Sequence, residues 1–165
     1  MEKDEETMAK KRLIPWELKY KFAMAAYAAG WKGWLYAVRE ECGAATTLKI
    51  FERVQKLGDR VKHFTNFLLT TFKLEGNDVK TIIDWWDIWW ELCGIEGTSL
   101  LQSKTVAISE ITKCPFKTEH KDISDWCKIF TNIVIKTINP KATFERPRSM
   151  CAGDSYCEYV MKIEE

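Results

Sequence analysis

The stretch Asp78-Val79-Lys80-Thr81-Ile82-Ile83-Asp84-Trp85-Trp86-Asp87-Ile88-Trp89-Trp90-Glu91-Leu92-Cys93-Gly94-Ile95-Glu96-Gly97 divides the chain into two kinds of pattern. As a helix it places Trp86 and Trp90 on one face with Ile82, Ile83 and Cys93, and Trp85 and Trp89 on the adjacent one. Asp78 is a residue type that caps a helix start, and the glycines at 94 and 97 are residue types that end one. Before this point apolar residues recur at helical spacing. After it the signals are mixed.

Working back, Pro15 suits the first turn of a helix that runs to about Cys42 and stops at Gly43. Its small residues (Ala23, Ala25, Ala26, Ala28, Ala29, Gly30, Gly33) permit close approach, and Tyr20, Tyr27, Trp31 and Trp34 form an aromatic side. A second helix over roughly 44–74 carries Phe51, Val54, Val61, Leu68 and Phe72 as one stripe, interrupted at Gly58. Working forward, Leu100 to Ile111 is rich in Val, Ile, Thr and Ser and reads as a strand, or as the end of a helix followed by a strand. Asp122 and Ser124 cap a helix over 123–138 that Asn139-Pro140 terminates. Ala142 to Met150 and Tyr156 to Ile163 flank Ala152-Gly153-Asp154-Ser155, a hairpin turn. The expectation is an α+β domain, with three N-terminal helices packed on a small C-terminal antiparallel sheet or hairpin and one further helix. Residues 1–12 read as a flexible charged tail, and 13–165 as a single domain with a helical part (13–97) and a cysteine-bearing part (98–165).

The chain has 165 residues, 25 basic and 24 acidic, with 46% hydrophobic and 30% charged residues. That length buries a core without disulfides, and the composition excludes global disorder. A net charge of +1 argues against a dedicated nucleic-acid binder. The longest apolar run, Phe22 to Trp31, falls short of the ~20 residues of a membrane span, and Met1 to Arg12 lacks the apolar core of a signal peptide. The expectation is a cytoplasmic domain with no nucleic-acid and no membrane partner, a small-molecule ligand, and a homo-oligomer left open.

Eight Trp and six Cys stand out. The four indoles of Trp85 to Trp90 are either a bulky core or the aromatic wall of a ligand or partner site. Trp86 and Trp90 are the ligand-binding candidates. No two cysteines form a CxxC, so a zinc ribbon or thioredoxin-type motif is unsupported. Cys114 precedes Pro115 at a strand end, Cys127 lies early in a helix, and Cys157 follows the hairpin turn. These three are expected to cluster, as inert packing thiols, as ligands of a zinc or iron ion, or with a nucleophile among them. Cys42 is expected away from them, and Cys42 and Cys93 as packing residues. Cys151 lies on the same hairpin face as Cys157 or on the opposite one, depending on the loop length. His120 is the one histidine near the thiols and so the candidate general base. Asp154 is a turn former unless its carboxylate faces the thiols. Arg146 and Arg148 alternate along one strand, both on one side, as a seat for a carboxylate or as a solvated face.

The C-terminal segment also resembles the L-2-amino-thiazoline-4-carboxylate hydrolase family and its uncharacterised relatives. The resemblance rests on Thr112-Lys113-Cys114-Pro115-Phe116, Trp126-Cys127, Asn139-Pro140, Ser149 and Ala152-Gly153-Asp154-Ser155-Tyr156-Cys157-Glu158-Tyr159, with Trp89-Trp90-Glu91-Leu92-Cys93-Gly94 upstream. More distantly, through Cys114, Cys127, Gly153, Asp154 and Cys157, it resembles 4-vinyl-reductase-like small-molecule-binding domains. The resemblance implies a hydrolase-like enzyme acting on a heterocyclic or amidine-type C=N bond. Its site would be built from Cys114, His120 and Asp154, or from zinc on Cys114, Cys127 and Cys157 with a bound water of pKa about 7. The alternative is a non-catalytic domain whose cysteine-lined pocket binds a small molecule, a metal or a metallocofactor. A third reading is a partner protein that uses its Trp-rich face. The pocket is expected between the Trp helix and the hairpin.

Overall fold

A computed structural model describes residues 15–164; the expected tail at 1–12 lies outside the described residues. Helix α1 (Trp16–Cys42) begins after Pro15 and ends where Gly43 takes φ 75°, a backbone conformation open to glycine. The expected helix over 44–74 is two helices, α2 (Ala44–Lys56) and α3 (Arg60–Thr71), joined by a 3-10 turn at Leu57–Asp59. Asp59 at φ 53° makes the break. Phe51, Val61 and Leu68 stay buried, whereas Val54 and Phe72 are exposed.

Helix α4 (Val79–Cys93) starts at Asp78, whose carboxylate accepts the Thr81 backbone N–H at 2.8 Å, and ends at Gly94 in the left-handed region. The stretch after it is a hairpin, β1 (Glu96–Leu101) and β2 (Val106–Lys113), rather than one strand. Helix α5 (Trp126–Ile138) starts three residues later than the composition suggests. Asp122 and Ser124 do not cap it: Asp122 accepts Arg39 of α1, and a 3-10 turn occupies Lys121–Ile123. Strands β3 (Ala142–Arg148) and β4 (Cys157–Ile163) close the fold. Their connection, 149–156, is a loop longer than a tight hairpin turn.

The four strands form one antiparallel sheet in the order β1-β2-β4-β3. Alternation along the two central strands selects its inner face. Ala107, Ser109 and Ile111 of β2 pair with Met161, Tyr159 and Cys157 of β4, and all six are buried. Helix α4 covers β1, β2 and β4, and α5 covers β3. Between sheet and helices lies the main core, with Ile82, Trp85, Trp86, Trp90, Val134, Ile135 and Ile138. Ala28 of α1, Cys93 and Phe116 form a second, smaller core beside it. The α+β architecture is the one expected, with a fourth strand and one more helix than the sequence pattern predicts. No helix among the described residues is long and apolar enough to cross a membrane.

Candidate functional site

A cavity of about 110 Å³ lies between α4, α5 and the sheet. Its wall is aromatic on one side: Trp86, Trp89 and Trp90 of α4, Phe130 of α5, and Trp31 and Trp126, whose rings meet at 4.1 Å. The lining also carries sulfur, with Cys114, Cys127, Cys151 and Cys157 all in it. Trp85 does not line the cavity. It is fully buried toward α3, and its Nε1–H donates to the Thr65 carbonyl at 3.2 Å. Four neighbouring indoles thus divide between core and cavity.

Helix periodicity places three of the rings; the sheet places the thiols. Cys157 opens β4 on the inner face, and its Sγ accepts the Met150 N–H at 3.2 Å. Cys151 sits in the 149–156 loop, is buried, and its Sγ accepts the Thr118 N–H at 3.3 Å. The loop length therefore brings Cys151 to the same cavity as Cys157. Burial pushes the Cys114 thiol up to about 12 and the Cys127 thiol up to about 11, the latter against the pull of Arg146. These thiols are protonated at neutral pH. Among the described residues, no three His, Cys, Asp or Glu side chains are grouped to hold a metal ion.

The structure does not gather the candidate catalytic set. Cys114 lines the cavity, but His120 is outside the lining, its ring against Tyr36 at 4.5 Å. Asp154 is exposed and accepts the Ser149 N–H at 2.7 Å, which stabilises the loop it stands in. Of the candidate ligand-binding residues, Trp86, Trp90 and Arg146 meet in the cavity. Arg148 does not: its side chain is 55% exposed, against 3% for Arg146. The reason is a bulge. The β3–β4 register shifts between Glu145 and Arg148, around Pro147, so the alternation expected to keep both arginines on one side is lost. Cys42 is exposed at the end of α1 rather than a packing residue, while Cys93 is buried in the smaller core.

Arg146 is the one buried cation of the site. Its Nη1 donates to the Ser124 carbonyl at 2.9 Å and to Cys127 Sγ, and its Nη2 donates to Asp125 at 2.9 Å. Its Nε has no partner. Among the described residues five buried side-chain polar atoms lack one, and three belong to cavity-lining residues: Trp86 Nε1, Trp126 Nε1 and Arg146 Nε. An unmet buried donor costs about 1–3 kcal/mol, so three around one cavity is a feature of the site. Sequence reasoning missed Trp126 as a wall residue, although it directly precedes Cys127. It also left Tyr159 unassigned, although β4 alternation places it on the inner face with Cys157.

No family model matches the sequence, and no curated protein matches it. The chain is similar in structure to trafficking protein particle complex subunit 3 from Naegleria fowleri, solved covalently bound to palmitic acid. The TM-score is 0.62 at 12% identity, over 88% of this chain and 97% of that one. This likeness shows a shared fold. It also corrects the resemblance drawn from the C-terminal motifs: neither the thiazoline hydrolase family nor the 4-vinyl-reductase-like domains match, and the structural neighbour is of another family. The motifs behind that resemblance fall at the ends of β2 and α4, at both ends of α5, and in the β3–β4 connection and the start of β4, positions where this topology changes element.

Proposed function

We propose that this chain is a binding domain that encloses a compact, mostly apolar small molecule of the acyl or aryl acid class. The observation that carries the reading is the partly open aromatic cavity between α4 and the sheet, with polar groups confined to a few points on its wall. The structural neighbour's palmitic acid supports it, since a fold of this kind accommodates an acyl chain in that protein. Binding rather than turnover is favoured because burial holds the Cys114 and Cys127 thiols protonated and His120 is not among the residues that line the cavity.

Size bounds the ligand. The cavity of about 110 Å³ is smaller than the ~150 Å³ cavity that admits benzene, so a short chain fits, and a single ring requires the walls to give. A long chain must emerge past Tyr27 and Lys117, the lining residues that reach the surface. The test is intrinsic Trp fluorescence during titration with saturated acids from butyrate to palmitate and with phenylacetate. Saturable changes that strengthen with the first few methylenes and then level off support the reading. Emission that ignores every member of the series, together with native mass spectra showing no adduct, overturns it.

A further inference from the structure

Resting on that reading, we infer that the cavity holds an oxyanion seat beside Arg146: Arg146 Nε with the indole N–H groups of Trp86 and Trp126 receives the ligand's carboxylate. Three observations converge on it. The lining holds two cations, Arg146 and Lys117, and no Asp or Glu, so the cavity itself is positive. The Arg146 side chain is 3% exposed, yet its one carboxylate partner among the described residues, Asp125, is 53% exposed, leaving the guanidinium a buried charge balanced from one edge. Finally, the three N–H groups without partners on lining residues are all buried donors, and no acceptor among the described residues meets them. Donors from an arginine and two indoles suit oxygen atoms that carry charge and accept several hydrogen bonds at once. A neutral hydrocarbon would leave all three unmet.

The alternative orientation places the head group at Lys117, by the surface, with the apolar body inward. The two are separable. Hexanoate and methyl hexanoate share an apolar body and differ in charge. The wild-type protein is expected to bind the acid at least ~10-fold more tightly than the ester, as charge-assisted hydrogen bonds imply. In Arg146→Gln the acid falls to the ester's affinity, and in Lys117→Ala the preference stays. The indole N–H resonances of Trp86 and Trp126 move downfield with hexanoate and not with the ester, a readout that needs no folded variant at position 146.

Equal binding of acid and ester by the wild-type chain overturns the oxyanion seat and leaves the apolar-binding reading standing. So does a preference that disappears in Lys117→Ala, which puts the head group at the mouth. Failure of both ligands to bind, with every longer acid failing too, overturns the binding reading and the seat with it.

Discussion

Arg146 Nη2 donates to Asp125 Oδ1 at 2.9 Å, so a residue of β3 is fastened to the residue that precedes α5. The same guanidinium holds the Ser124 carbonyl and Cys127, making one side chain the link between sheet edge and helix start. The two ends of the ion pair differ in worth. Asp125 is half-exposed and screened by water, so Asp125→Asn is expected to cost under about 1 kcal/mol. Arg146→Ala strands a carbonyl and removes the packing of a buried stem, which costs about 1–3 kcal/mol. Urea unfolding of both variants checks the order. A larger loss for Asp125→Asn than for Arg146→Ala would show that the link is mainly the ion pair.

Trp85 and Trp86 are neighbours in sequence with opposite duties. Trp85 is fully buried and hydrogen-bonded to the Thr65 carbonyl. Trp85→Ala should cost about 3–5 kcal/mol, as for a large core ring. Trp86 carries an unpartnered Nε1 beside the cavity. Trp86→Phe keeps most of the ring, removes that donor, and should cost less than about 1.5 kcal/mol. Thermal unfolding of the two variants separates core from cavity wall; equal losses would place both rings in one environment.

Gly97 marks where β1 comes closest to β2. A Cβ there would lie 2.4 Å from the Glu110 carbonyl oxygen and 3.2 Å from the Ile111 Cα. Both are backbone atoms, which cannot rotate aside. The β1–β2 register is irregular at this point, between Glu96 and Gly97. Gly97→Ala should therefore cost about 1–3 kcal/mol through strain, and raise amide exchange along β1 before the rest of the sheet. Uniform exchange across all four strands would contradict a local origin.

The helical half was legible because its ends are written in residues with strong local chemistry: Pro15, Gly43, Asp78 and Gly94. The β1–β2 hairpin was read as one strand because its turn, Gln102 to Thr105, contains neither Gly nor Pro. Ser103 makes the turn instead, its Oγ accepting the N–H groups of Thr105 and Val106 at 3.2 and 3.1 Å. Serine does this in many loops, so the signal is weak. The site was half legible. Period-two alternation places Cys157 with Tyr159, and period 3.6 places Trp86 with Trp90. The bulge that parts Arg146 from Arg148 follows from Pro147, which removes a ladder donor in mid-strand. The approach of Trp31 to Trp126 joins α1 to α5 across the chain, and no local rule encodes a contact of that range.

The cavity thiols give a stability profile whose sign is fixed by burial. Desolvation raises Cys114 to about 12 and Cys127 to about 11, and raises Cys157 as well, from ordinary values near 9.0. The folded state therefore holds these protons more tightly than the unfolded chain does. Their contribution to stability is fully present below the unfolded value, and it is lost as pH rises from about 9 toward the folded values. Near neutral pH the thiols add almost no slope, because both states hold their protons there. The same burial protects them: at pH 7.5, a value chosen between neutrality and the ordinary thiol range, thiolate is scarce in the cavity. Under native conditions iodoacetamide should thus label exposed Cys42 quickly and Cys114, Cys127, Cys151 and Cys157 slowly, with all six labelling together once the chain is unfolded. Hexanoate in the cavity should slow the inner thiols further without touching Cys42. If Cys127 instead reacts as fast as Cys42 in the folded protein, Arg146 is holding a thiolate. The cavity would then carry a nucleophile, and denaturing mass spectra after exposure to an acyl thioester would show the chain acylated there.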